Sequence, residues 1–335
     1  MPDDVAPLVD RYARAHTYLR VSVTDRCNYR CVYCLPDEGL SWMPRAEVLR
    51  YEEIARIVAV MAPMGVRRVR LTGGEPTVRR DIEALVEAVA SVPGIDDVSM
   101  TTNGHTLAKL APRLAARGLR RVNVSLDSLD PVRFAAITRG GDLSRVLDGI
   151  AAARASGLTP IKINVVVMAG VNDDEVVHIA EYFREYAGDT IVRYIEAMPF
   201  ETVRNAATVS AATLREHLGV LGPVRLDAAP PVGGGPARYW TVGEGKLPLR
   251  VGFIAPLTEH FCATCNRLRL LADGHLRTCL AHEDTPSLRD FLRSGVTDDA
   301  LRAAIRGIVL GKPAGHEAHL PGGRPFEGVM TGIGG

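Results

Sequence analysis

Six cysteines stand in two triplets near opposite ends of the chain, and their spacing suits metal ligands. The first triplet reads Cys27-x3-Cys31-x2-Cys34, directly after the strand-like run Tyr18-Leu-Arg-Val-Ser-Val23. Three thiolates so close together hold a metal centre well. A four-iron cluster ordinarily takes four cysteines. Three would leave one iron open to bind and activate another molecule. The second triplet reads Cys262-x2-Cys265, with Cys279 following after thirteen residues. It has the same three-ligand count.

Other uses of six cysteines fit less well. Three disulfides would allow 15 pairings, but that pattern belongs to short secreted chains. This chain has 335 residues, and Met1-Pro-Asp-Asp-Val5 does not read as a signal peptide. A cytoplasmic, reducing compartment is expected, where clustered cysteines favour metal over disulfide. Zinc usually takes four ligands, and no histidine adjoins the first triplet. His260, His275 and His282 do lie near the second, so a Cys3His zinc site is the alternative there. No segment approaches the roughly 18 apolar residues of a membrane span. The formal net charge of +1 gives no general attraction to nucleic acid or membrane. At 47% hydrophobic residues, the chain can bury a substantial core.

Apolar, β-branched strands are expected at 18–23, 67–71, 97–102, 121–126, 160–167 and 190–195. Helical periods fall at 46–64, 80–92, 106–117, 143–156 and 173–186, with Gly65, Gly118 and Gly157 as stops. Such alternation implies a parallel sheet with helices on its outer face. Six units fall two short of a closed eight-fold barrel. The fold class is therefore α/β, an incomplete (β/α)6 TIM-type barrel over residues 1–200. Residues 201–335 read as a smaller α+β domain closing the open side. Short strands are expected there near 237–242, 249–254 and 267–271, and helices near 285–293 and 297–310.

The unusual polar groups gather at the strand C-terminal ends. Thr72-Gly73-Gly74-Glu75-Pro76 follows the second strand and Thr101-Thr102-Asn103-Gly104 the third. Ser125-Leu126-Asp127 ends the fourth, Asn164 lies in the fifth, and Glu196-Ala197-Met198-Pro199 follows the sixth. In barrel folds that rim builds the active site. Arg20, Arg70, Lys162 and Arg193 lie in strands that otherwise read as buried. An unpaired buried cation is costly. Four in one sheet suggest a polar lumen holding an anion, and phosphate suits arginine and lysine. Gly233-Gly234-Gly235 lacks a following Gly-Lys-Ser/Thr and reads as a turn.

At this point the residues resemble a family. The cysteine loop, with aromatic Tyr33 before its last cysteine, and the Gly73-Gly74-Glu75-Pro76 run look like the radical S-adenosylmethionine enzymes. The second triplet, Asn266-Arg267-Leu268-Arg269 beside it, Arg20-Val-Ser-Val-Thr-Asp-Arg-Cys27 and the terminal Gly332-Ile333-Gly334-Gly335 narrow the choice. Together they resemble the GTP 3′,8-cyclase family of molybdenum cofactor biosynthesis over essentially the whole chain. The resemblance implies two [4Fe-4S] clusters, one on Cys27, Cys31 and Cys34, the other on Cys262, Cys265 and Cys279. It implies S-adenosylmethionine at the first, contacted by Tyr33, Gly74, Ser125 and Met198. GTP would meet the second through its guanine, with Arg20, Arg70, Thr101, Lys162, Arg267 and Arg269 in contact and Arg193 added.

The implied enzyme is a lyase. A 5′-deoxyadenosyl radical takes hydrogen from C3′ of GTP, which then bonds to C8. The product is (8S)-3′,8-cyclo-7,8-dihydroguanosine 5′-triphosphate. Gly334 and Gly335 would enter the site and act in catalysis with Arg267 and Arg269. The resemblance also implies a homodimer, an external reductant and a downstream cyclic pyranopterin monophosphate synthase. Two rivals stand beside it. One is another radical S-adenosylmethionine enzyme with an auxiliary cluster, acting on a peptide. The other is a non-catalytic iron-sulfur or zinc sensor.

Overall fold

A computed structural model describes residues 6–36, 38–200, 202, 207–229, 235–244, 248–281, 286–317, 326 and 330–333. Six parallel strands form its centre: β1 Tyr18–Ser22, β2 Arg68–Thr72, β3 Asp97–Thr102, β4 Arg121–Ser125, β5 Ile161–Val167 and β6 Thr190–Glu196. They hydrogen-bond in sequence order. Helices α1 Tyr51–Met61, α2 Ile82–Ala90, α3 Leu107–Ala116, α5 Leu143–Ala155 and α6 Val176–Tyr182 return the chain between them. Their Leu, Ile and Val faces pack on the buried side chains of the strands. Gly65, Gly118 and Gly157 lie just beyond helix ends with φ of +100°, +96° and +71°, where only glycine is unstrained.

One helix between β4 and β5 was not expected. Residues Pro131–Thr138 form α4, capped by Asp130, whose carboxylate accepts the Arg133 N–H at 2.8 Å. Asp-Pro before a short apolar run reads as a turn, yet proline at the first helical position is preorganised for a helix.

The part after residue 200 extends the sheet at both of its edges. Helix α7 (Ala211–Leu218) and the strands β7 Val224–Leu226, β8 Arg238–Val242 and β9 Leu249–Ile254 follow β6. Strand β9 pairs parallel with β6, and β8 and β7 continue antiparallel. Strand β10 (Arg267–Leu270) then crosses to the opposite edge and pairs parallel with β1, and β11 (Leu276–Arg277) pairs antiparallel with β10. The result is one 11-stranded sheet in the order β11-β10-β1-β2-β3-β4-β5-β6-β9-β8-β7. Among the described residues no helix is long and apolar enough to cross a membrane.

Helices α8 (Leu288–Arg293) and α9 (Asp298–Leu310) fasten this last part to the first. Arg293 Nε donates to the buried Glu53 of α1 at 2.9 Å, and the Arg50 N–H donates to the same carboxylate at 2.7 Å. Burial works to raise the Glu53 pKa, but these donors outweigh it and hold the carboxyl at about 2, against 4.5 in an unfolded chain. The lowered pKa makes the contribution to stability complete above pH 4.5 and lost as the pH falls through about 2. Glu53→Gln should therefore destabilise the chain near neutral pH by on the order of 2 kcal/mol. Denaturant titrations should show that difference shrinking as the pH drops from 4.5 towards 2; a difference independent of pH would contradict this role.

Candidate active site

The first cysteine loop is held from both sides by backbone. On one side, Gly74 N–H donates to Thr24 O at 2.7 Å and Glu75 N–H to Arg26 O at 2.8 Å. A side chain at residue 74 would not fit, since a Cβ there would lie 2.2 Å from Arg26 O. On the other side, Val32 N–H donates to Ile137 O at 2.9 Å, at the end of α4, and Arg139 Nη1 donates to Leu35 O at 2.9 Å. The glycine run thus lets strand β2's loop lie against the cysteine loop.

Glu75 ties the next rim segment to these two. Its buried carboxylate accepts Thr102 Oγ1–H at 2.7 Å, the Asn103 N–H at 2.6 Å and Thr77 Oγ1–H at 2.6 Å. Burial raises its pKa while these donors oppose the rise. Asn103 Nδ2 reaches back to Asn28 Oδ1 at 2.8 Å, inside the cysteine loop. Asp127 does the same for the fourth and fifth strands. It accepts Tyr33 O–H at 2.7 Å and the Val166 N–H at 2.8 Å. Burial pushes its pKa up to about 6.

These rim segments open on one cavity of about 280 Å³. All six cysteines line it, the first triplet with Tyr33, Gly74, Ser125 and Met198, the second with Arg267 and Arg269. Every cysteine is a free thiol. Burial pushes Cys27 up to about 11 and raises Cys31 and Cys279. Burial also works to raise Cys265, but Arg267 and Lys312 outweigh it and hold that thiol at about 7. Buried thiols of this kind become thiolates when a bound metal supplies the charge. Among the described residues no group of three or more His, Cys, Asp or Glu side chains is placed to hold a single metal ion. Thiolates of a four-iron cluster each bind a different iron and stand farther apart than ligands of one ion. Three free cysteines per triplet, open to a shared cavity, suit that donor set.

Strand register explains the basic lining. Arg269 of β10, Arg20 of β1 and Arg70 of β2 are direct cross-strand partners, with Ser99 and Arg121 continuing the same row. Like charges directly opposite are destabilising. Arg121 is neutralised by its ion pair with Asp97. Arg70 Nε and Arg269 Nη1 are buried donors with no hydrogen-bond partner. Burial, then the neighbouring arginine cations, lowers the pKa of Arg20 and brings Arg269 down to about 10. The carboxylates among the described lining residues are Glu75 and Glu196. Glu75 is taken by the rim, and Glu196 accepts the Leu257 and Thr258 N–H groups at 3.0 and 3.2 Å. Both lining carboxylates are thus engaged away from Arg70 Nε and Arg269 Nη1.

The comparisons with known proteins agree with this geometry. Residues 21–183 match the Radical SAM superfamily, and residues 190–318 match Molybdenum Cofactor Synthesis C. A relative from Heliobacterium modesticaldum named GTP 3′,8-cyclase is 46% identical over 98% of this chain and 100% of its own length. The chain belongs to the GTP 3′,8-cyclase family. A relative of the same name from Pelotomaculum thermopropionicum is 44% identical over 97% of this chain and 99% of its own. Streptococcus suis SuiB, solved with S-adenosylmethionine bound, shares the fold with a TM-score of 0.62 at 15% identity. It covers 91% of this chain, which covers 74% of SuiB.

Most residues that the family resemblance marks meet in the cavity. Arg20, Arg70, Thr101, Arg193, Arg267 and Arg269 all line it. Arg193 Nε donates to Asn164 Oδ1 at 3.0 Å. Lys162 does not line it. It lies buried in the register row of Thr101 and Asn123, with its ammonium 5.9 Å from the Tyr239 ring centre. Gly334 and Gly335 lie outside the described residues. Just before them, Ile333 packs with stacked Phe200 and Phe326, whose ring centres are 5.0 Å apart, and Met330 lines the cavity. Of the histidines weighed for zinc, His275 pairs with Asp273 at 3.0 Å away from the lining, and His282 lies outside the described residues.

No sequence motif marks His316, which lines the cavity, or Lys312, whose Nζ lies 3.6 Å from Cys265 Sγ. Both follow the last helix, far along the chain from any motif. For the loop contact, Gly74→Ala should lower stability by about 1–3 kcal/mol through overpacking and remove iron from the first triplet. Gly188→Ala, where a Cβ meets nothing within 4 Å, should change neither. Thermal melts and iron analysis of the two variants test this; equal behaviour would refute it.

Proposed function

We propose that the cavity carries out the radical cyclisation of GTP, joining C3′ of the ribose to C8 of guanine. Cys27, Cys31 and Cys34 hold one four-iron cluster with S-adenosylmethionine beside it, against Tyr33, Gly74, Ser125 and Met198. Cys262, Cys265 and Cys279 hold a second, which meets the guanine ring. When bound, the first cluster and S-adenosylmethionine supply a 5′-deoxyadenosyl radical able to take the C3′ hydrogen. The one observation that carries this reading is that both triplets and the register row of Arg269, Arg20 and Arg70 face a single cavity.

The protein's share is positioning. Arg20, Arg70 and Arg269, on three adjacent strands, present three neighbouring guanidinium groups to a triphosphate. Arg193 and Arg267 extend the basic surface and Thr101 completes the GTP contacts, while Lys162 lies buried outside the cavity lining. A radical attacks any nearby C–H bond, so the ribose must be held at roughly 3–3.5 Å from it and water kept out. One triplet at each end of the cavity and the arginines on its wall give three fixed points around the ribose. The first 200 residues would supply the radical side and the remainder the substrate side. Gly334 and Gly335 take part in catalysis in this reading. The packing of Ile333 beside Met198 and Phe200 supports a tail directed at the site. An external reductant, a downstream synthase, a homodimer and a cytoplasmic setting belong to the same reading.

Anaerobic turnover with S-adenosylmethionine, GTP and a reductant tests it. Cyclised nucleotide and 5′-deoxyadenosine should form together, on a chain carrying about eight irons. A peptide-directed enzyme would give no cyclised nucleotide, and zinc in place of iron would refute the enzyme reading. Arg269→Ala should lower kcat/KM for GTP by roughly 30-fold or more, about 2 kcal/mol, while both clusters remain. Removal of Gly334 and Gly335 should abolish cyclisation with iron content unchanged; normal product from that truncated chain would remove the tail from the mechanism.

A further inference from the structure

Lys312 follows α9, and its side chain is 2% exposed. Its Nζ donates to Arg267 O at 2.8 Å, Cys265 O at 3.3 Å and Cys265 Sγ at 3.6 Å. None of these partners is a carboxylate. A buried ammonium held by two carbonyls and a neutral thiol lacks the anion that burial of a charge demands. A thiolate at Cys265 supplies it. The segment that carries Lys312 is pressed against the second triplet. A Cβ on Gly315 would lie 3.1 Å from Cys262 Cβ.

A second basic residue fixes that segment from the far end of the chain. Arg14 Nη1 donates to Cys262 O at 2.9 Å and to Ala314 O at 2.8 Å, and Nη2 donates to Pro313 O at 2.6 Å. Asp10 orients it, accepting Arg14 Nε–H at 2.7 Å. Arg14 therefore staples the backbone after Lys312 to the backbone of a cysteine in the triplet.

We propose that Lys312 is a positioning and charge-balancing residue of the second cysteine triplet, and that Arg14 holds it in place. It fixes Cys265 through its N–H···S contact and favours the more negative, reduced state of the group these cysteines hold. Hydrogen bonds to ligand sulfurs and nearby charge set the potentials of iron-sulfur centres. The proposal rests on the reading that Cys262, Cys265 and Cys279 bind a four-iron cluster.

The test uses the full chain carrying Cys27→Ala, Cys31→Ala and Cys34→Ala, so that iron and spectra report the second triplet alone. This parent should bind about four irons; failure to do so overturns the cluster reading itself. Lys312→Met, Lys312→Gln and Lys312→Arg are then compared by iron and sulfide analysis and by potentiometric titration followed by electron paramagnetic resonance. Lys312→Met should either lose the cluster or lower its midpoint. The lowered midpoint should cut the reduced fraction at fixed poise about tenfold, equivalent to about 59 mV for one electron. Lys312→Gln should lie between, and Lys312→Arg should keep both cluster and midpoint. Full iron with an unchanged midpoint in the Met and Gln variants would overturn the proposal. Loss of iron in Lys312→Arg as well would also overturn it, because the role would then be shape rather than charge.

Discussion

Parallel pairing keeps equivalent positions of neighbouring strands side by side, and this constraint puts Arg269, Arg20 and Arg70 in one row. Three like charges in that arrangement oppose folding unless something negative faces them. The protein answers this fully for one cation at the end of the row, Arg121, through Asp97. At the cavity the nearby carboxylates are engaged elsewhere, Glu75 by the rim loops and Glu196 by the turn after β9. A wall of adjacent arginines suits an anionic substrate better than a neutral one.

The same sheet explains how both cysteine triplets reach one cavity. The first triplet follows β1; Cys262 and Cys265 of the second immediately precede β10, which pairs with β1, and Cys279 follows β11. Residues separated by more than two hundred positions become neighbours through a single parallel ladder. Each triplet is then fixed by groups outside its own motif. Gly74 and Glu75 of the next loop hold the first. Arg14 from the start of the chain and Lys312 from its last part hold the second. Anchoring of this kind keeps the distance between the triplets fixed without a closed barrel around them.

Much of this was legible in the sequence because it was local. All six central strands fall within a residue or so of their expected positions, since buried parallel strands read as β-branched runs between helical periods. The rim residues were legible because each follows a strand. The crossing of β10 to the β1 edge was not. Nothing in Arg267-Leu-Arg-Leu270 states which edge it will take, so the arginine row could be expected only as scattered buried cations. Helix α4 was hidden by an Asp-Pro pair that serves equally as a turn or a helix start. Lys312 carried no signal at all, because a single lysine gains meaning only from the thiol it approaches.

With both triplets serving one cavity, the proposed reaction puts the radical source in contact with the GTP ribose. GTP deuterated at C3′ tests it most directly. During anaerobic turnover the label should move into 5′-deoxyadenosine as cyclised nucleotide accumulates. Unlabelled 5′-deoxyadenosine formed in the presence of bound, uncyclised GTP would contradict it.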